Sequence, residues 1–175
     1  YGSVSGVTRR DCPEFIKVLY AETADVYAIT DYKARYYTIM RNGIEQDIHM
    51  LVTANPSTIV EMQNNANEFF EQYVTDIENG TLNKDLDIAT EVREKLEPLY
   101  KPNPERAKEL RELKEKYGDG LLPKHYWPNL QVLTTWKCGN TQVYMEKFKN
   151  SFPENMLYQE FGYFASECRS GLVMN

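Results

Sequence analysis

The sequence predicts a helix-rich α/β fold that ends, towards the carboxyl terminus, in a βαβ unit of parallel strands. Between residues 30 and 120, apolar residues recur at three- and four-residue steps, which is the spacing of amphipathic helices. From Trp127 onward the pattern changes to strand, helix, strand, and a short helix of this kind joins parallel strands. We therefore divide this single partial domain into an N-terminal segment (1–30), a mostly helical part (31–126) and a strand–helix–strand part (127–175).

Composition describes an ordinary globular chain and excludes several functional classes. The 175 residues are 42% hydrophobic and 26% charged, which argues against disorder. The formal net charge of −6 argues against the clustered basic surface that nucleic-acid binding needs. No apolar run is long enough to span a bilayer, so we expect no membrane partner. The sequence has three cysteines that lie far apart, which indicates reduced thiols rather than disulfides. We therefore predict a cytoplasmic protein.

The first predicted helix is "YKARYYTIMRNG", for which Asp31 is a suitable N-cap and Asn42 with Gly43 a usual C-cap pair. In the segment from Ile44 to Ala54, the apolar end predicts a strand. The residues Tyr32 to Tyr37 suggest either an aromatic–basic binding patch or a helix whose tyrosines pack while its basic groups stay in water. The second interpretation is the more common one.

The strongest helical pattern lies between Asn55 and Gly80. Its apolar residues recur at helical steps and form one stripe: Ile59, Met62, Ala66, Phe69, Phe70, Tyr73, Val74 and Ile77. Ser57, with Glu61 nearby, suits the start of this helix, and Gly80 suits its end. We therefore predict one long amphipathic helix with a buried face.

Two shorter helices are predicted after this one. The stretch "TEVREKLEPLY" forms a helix that ends near Pro98. In "NPERAKELRELKEKYGDG", Asn103 is the predicted N-cap and Pro104 occupies the first turn. Charges of alternating sign on this last helix predict a face exposed to solvent.

Two predicted strands flank a short amphipathic helix near the carboxyl terminus. Leu130 to Trp136 has no helical stripe and is rich in Val, Leu and Thr, so we expect a strand there. The stretch "NMLYQEFGYF" is a second strand, and Gly162 marks its carboxyl end. In an open parallel sheet, ligands bind just outside the carboxyl ends of the strands. That rule selects two loops, Cys138 to Thr141 and Gly162 to Gly171.

The second loop contains "GYFASE", whose side chains suit a nucleotide and a metal ion. Tyr163 offers a flat face for a base, and the Ser166 hydroxyl can donate to a phosphate oxygen. Glu167 supplies a hard oxygen ligand of the kind that Mg²⁺ prefers beside phosphates. The simpler alternatives are that Tyr163 only packs in the core and that Glu167 is a solvated turn residue. Without a neighbouring base, Cys138 and Cys168 do not indicate a covalent nucleophile.

The "GYFASE" element resembles the Gly-Tyr-Gly-x-Thr-Glu motif of adenylate-forming enzymes. It is closer to the Tyr-Ala-Ser-Ser-Glu variant of the auxin-responsive family of acyl-acid amido synthetases. Three other stretches resemble elements of that family in the same order: "YVTDIENGTL", "ATEVREKLEPLYKPNPERAKEL" and "LLPKHYWPNLQVLTTWKCGNTQVY". The last resembles its Leu-Trp-Pro-Asn-x-Lys strand and the Thr-Gly-Ser/Thr-Met loop that follows. The resemblance extends from Tyr32 to Gly171.

The resemblance implies a role for individual residues of this chain. Tyr163 would stack on adenine, Ser166 would contact the α-phosphate, and Glu167 would bind Mg²⁺, so that Ser166 and Glu167 are the implied catalytic residues. The other positions implied for ATP are Cys138, Gly139, Asn140 and Gly162. Ala54 and Asn55 would lie beside the acyl pocket. Phe164 and Cys138 depart from the family pattern, which has smaller residues and Thr at these places.

The resemblance also implies an activity, that of an ATP-dependent ligase using ATP and Mg²⁺. Its expected partners are a small-molecule carboxylic acid, an amine or amino acid, and the remaining parts of the parent enzyme. The chain would be the middle of a larger adenylation domain, and it lacks the family's Ser/Thr/Gly-rich phosphate loop, so we expect the isolated chain to be inactive. Two alternatives stay open: an adenylate-forming ligase with coenzyme A as acceptor, and a non-catalytic helical binding module.

Overall fold

A computed structural model describes residues 11–17, 19–137, 142–148 and 150–162 of the chain. Its helices are α1 (Glu14–Lys17), α2 (Tyr32–Glu45), α3 (Pro56–Glu68), α4 (Phe70–Asn79), α5 (Thr90–Leu96), α6 (Pro104–Tyr117), α7 (Pro123–Tyr126) and α8 (Gln142–Phe148). Single 3₁₀ turns occupy Ala24–Ala28, Glu97–Leu99 and Gly118–Gly120. The strands are β1 (Met50–Val52), β2 (Val132–Thr135) and β3 (Leu157–Glu160). These elements confirm the predicted helix-rich α/β class.

The chain forms two compact units. The first comprises Tyr1–Gln46 and Asn65–Asp119, and the second comprises Asp47–Asn64 and Gly120–Asn175. The first unit contains α2, α4, α5 and α6, whereas the second contains the sheet and α8. In the described ranges, no helix has the length and apolar character needed to cross a membrane.

The core of the first unit is formed where α4 packs against α6 and α2. From α4, Tyr73 and Ile77 are fully buried, as the predicted apolar stripe requires. Leu110 of α6 and Tyr37 of α2 are also buried, and the Tyr37 and Tyr73 rings lie 4.5 Å apart. Such aromatic packing adds to the stabilisation that burial of apolar area provides.

The Asp76 carboxylate is the polar centre of this core. Asp76 is only 6% exposed, and its oxygens accept hydrogen bonds from the Tyr37 hydroxyl at 2.7 Å and from the Thr81 hydroxyl at 2.7 Å. The backbone N–H of Asn83 donates a third bond, at 2.8 Å. A buried carboxylate is tolerated when its oxygens are satisfied in this way. Burial, together with the hydrogen bond to Asp76, raises the pKa of Tyr37 far above its ordinary value.

The sheet of the second unit has the strand order β1-β2-β3, and both pairs are parallel. Leu51, Leu133 and Tyr158 lie side by side in the register and share one face. Helix α8, which connects β2 to β3, supplies Phe148, whose ring stacks on Tyr158 with centroids 6.4 Å apart. The parallel pairing that the sequence predicted for the last two strands is therefore confirmed.

The opposite face of the sheet exposes apolar side chains. Met50, Val132 and Leu157 are aligned on it by the strand register. Met50 is 56% exposed, Val52 is 50% exposed and Leu157 is 52% exposed.

The predicted N-caps are confirmed, but the predicted end of α2 is wrong. Asp31 accepts a hydrogen bond from the backbone N–H of Ala34, and Asn103 accepts one from that of Arg106. Helix α2 continues through Asn42 and Gly43 to Glu45 and has Gln46 as its C-cap. The additional turn buries Ile44 completely, and that burial outweighs the tendency of Gly43 to end a helix.

The long helix predicted between Asn55 and Gly80 is divided into α3 and α4. The division falls at Phe69, whose backbone angles are φ −109° and ψ 17°. This irregular turn accommodates two consecutive phenylalanines: the Phe69 ring contacts Tyr37 edge-on at 5.7 Å, while Phe70 is buried. The predicted terminus at Gly80 is confirmed, because Gly80 has the left-handed φ of 65° and its N–H bonds to the carbonyls of the last turn.

Candidate functional site

The candidate site lies in the second unit, where the parallel strands end at one edge of the sheet. Residues 53–55 follow β1, residues 136–137 follow β2, and residues 161–162 follow β3. Because the strands are parallel, these three segments leave the sheet on the same side. This is the position at which open parallel sheets bind ligands.

The segment after β1 is held against the end of β2. The Ala54 carbonyl accepts hydrogen bonds from the backbone N–H of Trp136 and from the Thr135 hydroxyl, both at 3.1 Å. The N–H of Thr53 donates to the Thr134 carbonyl at 3.0 Å and so extends the ladder by one residue. The Trp136 backbone and the buried Thr135 side chain together hold Ala54 beside the carboxyl end of β2.

The segment after β3 is linked to the same place by the Trp136 side chain. Its indole Nε1 donates to the carbonyl oxygen of Gly162 at 3.1 Å, and the N–H of Phe161 donates to the Thr135 carbonyl at 3.2 Å. Gly162 is buried and has a φ of 82°, a conformation that L side chains rarely adopt. The chain therefore turns sharply at Gly162, where the predicted "GYFASE" element begins.

The Glu160 carboxylate holds the beginnings of both loops. One oxygen accepts from the backbone N–H of Lys137 at 2.7 Å, and the other accepts from the N–H of Gly162 at 3.2 Å. The Lys137 ammonium donates to the Tyr158 carbonyl at 2.6 Å and lies 5.1 Å from the centre of the Tyr158 ring. Burial, and secondarily the Glu160 charge, raises the pKa of Tyr158 well above its ordinary value. Tyr158 therefore remains an uncharged packing residue.

Three of the predicted site residues lie in the described ranges. Gly162 and Ala54 both lie at the strand ends, where each carbonyl accepts a hydrogen bond from Trp136. The Asn55 side-chain oxygen accepts a hydrogen bond from the N–H of Ser57 at 3.0 Å and so caps α3, while the roles of Ala54 and Asn55 beside an acyl pocket stay predictions. The helix accordingly begins one residue before the predicted start at Ser57.

The other predicted site residues fall outside the described ranges. These are Cys138, Gly139 and Asn140 in the first loop and Tyr163, Ser166 and Glu167 in the second. Their roles with ATP and Mg²⁺ stay predictions. Within the described residues, no group of three or more His, Cys, Asp and Glu side chains is arranged to hold a metal ion.

Sequence reasoning missed Trp136, Lys137 and Glu160 as residues that shape this edge. Each lies at or just beyond the carboxyl end of a strand. One signal in the sequence was the charge of Glu160, which is the one charged residue of β3. The three bonds that join the segment after β2 to β3 and its following segment connect residues 21 to 26 positions apart in sequence, so no local pattern identifies these pairs.

Comparison with known proteins places the chain in a family. Residues 1–157 match the GH3 family N-terminal domain. No curated protein sequence matches the chain.

Several solved structures have a similar fold, and two of them are acyl acid amido synthetases. A GH3.15 acyl acid amido synthetase matches with a TM-score of 0.70 and 17% identity, over 87% of this chain and 28% of the other. A structure titled "AtGH3.15 acyl acid amido synthetase in complex with 2,4-DB" matches with a TM-score of 0.69 and 19% identity, over 90% of this chain and 29% of the other. The chain thus spans less than a third of the length of these synthetases. With its match over residues 1–157, the chain belongs to the GH3 family, the auxin-responsive family that its sequence motifs resemble.

Proposed function

We propose that this chain is part of the adenylating domain of an acyl-acid amido synthetase. That enzyme would join a small carboxylic acid to an amine such as an amino acid, and ATP would drive the reaction. The observation that carries the proposal is the family match over residues 1–157. The similar solved structures add support, because both are acyl acid amido synthetases and one is a complex with 2,4-DB, an acyl acid.

The proposed reaction has two steps. In the first, a carboxylate oxygen of the acid attacks the α-phosphorus of ATP, the bond to the β-phosphate breaks, and pyrophosphate leaves. In the second, the amine nitrogen attacks the acyl carbon, the bond to AMP breaks, and the nitrogen releases a proton as the amide forms. The first step brings two anions together, so its barrier falls when hydrogen-bond donors face the developing charge. Neither step needs a covalent nucleophile from the protein.

Residues of the second loop would bind ATP and the metal. Tyr163 would stack on adenine and Ser166 would donate a hydrogen bond to the α-phosphate. Glu167 would hold Mg²⁺, whose charge neutralises the phosphates when it is bound. The donor set fits this ion, since Mg²⁺ in phosphate sites takes one or two carboxylates and completes its shell with phosphate oxygens and water. Trp136 and Glu160 would orient the loop, because both bond to Gly162 at its start.

The test is pyrophosphate exchange by the full-length protein that contains this chain. We expect exchange that depends on an added carboxylic acid, followed by release of AMP when amino acids are supplied. Competition between amino acids and coenzyme A then identifies the acceptor. Acid-dependent exchange with product formation only from coenzyme A would replace the amide-forming assignment with the thioester-forming one. The absence of exchange over a panel of acids would contradict adenylation itself.

The 175-residue chain alone should show only background exchange. Its small-residue-rich start, "YGSVSG", lacks the Thr-Ser-Gly and Lys pattern of a phosphate loop, so most charge contacts to the triphosphate would be missing. Robust exchange by the isolated chain would show that the elements for adenylation are present within it.

A further inference from the structure

The first unit contains a cavity that is remote in sequence from the strand-end loops. It has a volume of about 120 Å³ and lies at the carboxyl end of α2. The polar part of its wall comes from α2, which supplies Arg41, Asn42 and Glu45. Thr23, Gln46 and Tyr100 complete that part. The apolar part is formed by Ala21, Leu96 and Leu99.

Three polar atoms in this wall lack a hydrogen-bond partner among the described residues. They are the Thr23 hydroxyl, the Asn42 side-chain carbonyl oxygen and the Tyr100 hydroxyl. Asn42 is only 6% exposed. Burial raises the pKa of the Tyr100 hydroxyl, and the nearby Asn42 side chain partly offsets that rise. Neither this hydroxyl nor the Asn42 oxygen has a partner at hydrogen-bonding distance and angle among the described residues. Buried polar groups are nearly always paired, so three that line one cavity indicate a partner within it.

The wall is held rigidly around these atoms. Arg41 is 1% exposed; its Nε donates to the Thr81 carbonyl at 3.2 Å, and its guanidinium forms an ion pair with Glu45. The guanidinium carbon also lies 3.9 Å from the centre of the Tyr100 ring. On the far side, the Gln46 side-chain amide donates to the Ala21 carbonyl at 2.9 Å. The polar atoms are thereby presented in a fixed arrangement rather than on mobile side chains.

Charge and size define what the cavity can accept. The Arg41 and Glu45 charges neutralise each other, so neither an anion nor a cation finds a net attraction. The Asn42 oxygen can only accept, which requires a donor on the ligand, whereas the two hydroxyls can also donate. A dry cavity of about 150 Å³ is known to hold benzene, so this smaller one admits roughly four or five non-hydrogen atoms.

We propose that this cavity is a binding site for a small neutral molecule with an N–H donor beside a carbonyl acceptor, the class of the primary carboxamides. The amide N–H groups would donate to the Asn42 oxygen, and the carbonyl would accept from the Tyr100 and Thr23 hydroxyls. A short alkyl group would rest on Leu96 and Leu99.

The test uses acetamide as the probe and the complete 175-residue chain. Two-dimensional ¹H–¹⁵N NMR should show saturable shifts of amide signals around the cavity, with a dissociation constant in the millimolar range. Acetone lacks the N–H donor of acetamide, and acetate lacks this donor and also carries a charge. Both should therefore bind at least about tenfold more weakly than acetamide. Equal binding of all three would overturn the assigned chemistry. No saturable shifts with acetamide would overturn the site.

Variants locate the binding within the cavity. Asn42→Leu removes the buried acceptor, and Tyr100→Phe removes one hydroxyl with little change of shape; each should weaken acetamide binding at least about tenfold. Tyr36→Phe is the matched control, since Tyr36 is a partly buried residue of α2 that does not line the cavity. If Asn42→Leu does not fold, Tyr100→Phe and Thr23→Val decide the question. Unchanged affinity in these two variants would contradict the proposal.

Discussion

The indole Nε1 of Trp136 donates a hydrogen bond to the carbonyl oxygen of Gly162, 26 residues later in the chain. The bond joins the segments that follow β2 and β3 at the edge where ligands bind in parallel sheets. Gly162 is also bonded through its N–H to Glu160 and turns with a positive φ. The start of the "GYFASE" loop is therefore held through both backbone polar groups of Gly162, one on each side of its α-carbon.

Trp136→Phe should loosen this connection while keeping an aromatic ring. The Gly162 carbonyl would lose its partner, so we expect the free energy of unfolding to fall by about 1 kcal/mol. Urea unfolding of the 175-residue chain measures this difference. In the full-length protein the same change should weaken ATP binding, because the proposed ATP loop begins at Gly162. Unchanged stability would show that the indole bond contributes nothing.

Gly80→Ala should destabilise the first unit strongly. Gly80 has a φ of 65°, and a β-carbon there would lie 2.4 Å from the backbone of Lys101 and Pro102. The left-handed conformation alone costs an L residue roughly 1–2 kcal/mol, and the backbone clash adds to it. We expect a total loss above about 2 kcal/mol in urea unfolding.

Gly120→Ala is the control for this variant. Apart from its chain neighbours, no atom of the described residues lies within 4 Å of a β-carbon at Gly120, and the φ of Gly120 is not in the positive range. Its stability should stay within about 0.5 kcal/mol of the original chain. Equal effects of the two substitutions would mean that neither the conformation nor the contact at Gly80 is as described.

Local patterns predicted the features that depend on neighbouring residues. The caps at Asp31 and Asn103 and the helix end at Gly80 are of this kind, because a side chain or a glycine acts on its own turn. The helix through Gly43 was not predictable in this way. Its extra turn depends on burial of Ile44, which only the assembled core provides.

The same distinction between local and long-range features applies to the strand-end site. The positions of β2 and β3 and their parallel pairing followed from the sequence, and they select the carboxyl edge of the sheet as the predicted place for a ligand. The bonds of Trp136 and Glu160 did not follow, because their partners lie across strands and alternation of side chains does not specify them.

Stability should decline at alkaline pH because of Tyr37. Burial of the Tyr37 phenol raises its pKa above the ordinary value of 10.0, and the hydrogen bond to Asp76 adds a smaller rise. A group with a raised pKa contributes its full stability below the unfolded pKa and loses it as pH rises towards the folded pKa. Above about pH 10 we therefore expect the free energy of unfolding to fall by about 1.4 kcal/mol per pH unit for this residue.

Urea unfolding between pH 8 and pH 11 tests this expectation. Tyr37→Phe should be less stable at neutral pH, since Asp76 loses a donor, but its alkaline decline should be shallower. A decline of the same slope in both proteins would assign the effect to other groups. Burial also raises the pKa of Tyr126, so part of the decline should persist in the variant.

Glu167→Gln tests the proposed metal ligand in the full-length protein. The substitution keeps the size of the side chain and removes its charge, and a neutral amide oxygen is a poorer ligand for Mg²⁺. By analogy with the loss of one preorganised electrostatic group, adenylation should slow by roughly a hundredfold or more, or about 3 kcal/mol. The fall should be partly relieved at high Mg²⁺, because mass action restores occupancy of a weakened site.

Steady-state pyrophosphate exchange against Mg²⁺ concentration separates this role from a structural one. If Glu167 binds the metal, the variant needs more Mg²⁺ for half-maximal exchange, while its thermal unfolding in the absence of ATP and Mg²⁺ stays close to that of the original protein. Glu146→Gln is a suitable control, since Glu146 is an exposed carboxylate on α8. It should leave the Mg²⁺ curve unchanged. Superimposable curves for all three proteins would mean that Glu167 is a solvated turn residue, and the metal would then need a ligand elsewhere in the parent enzyme.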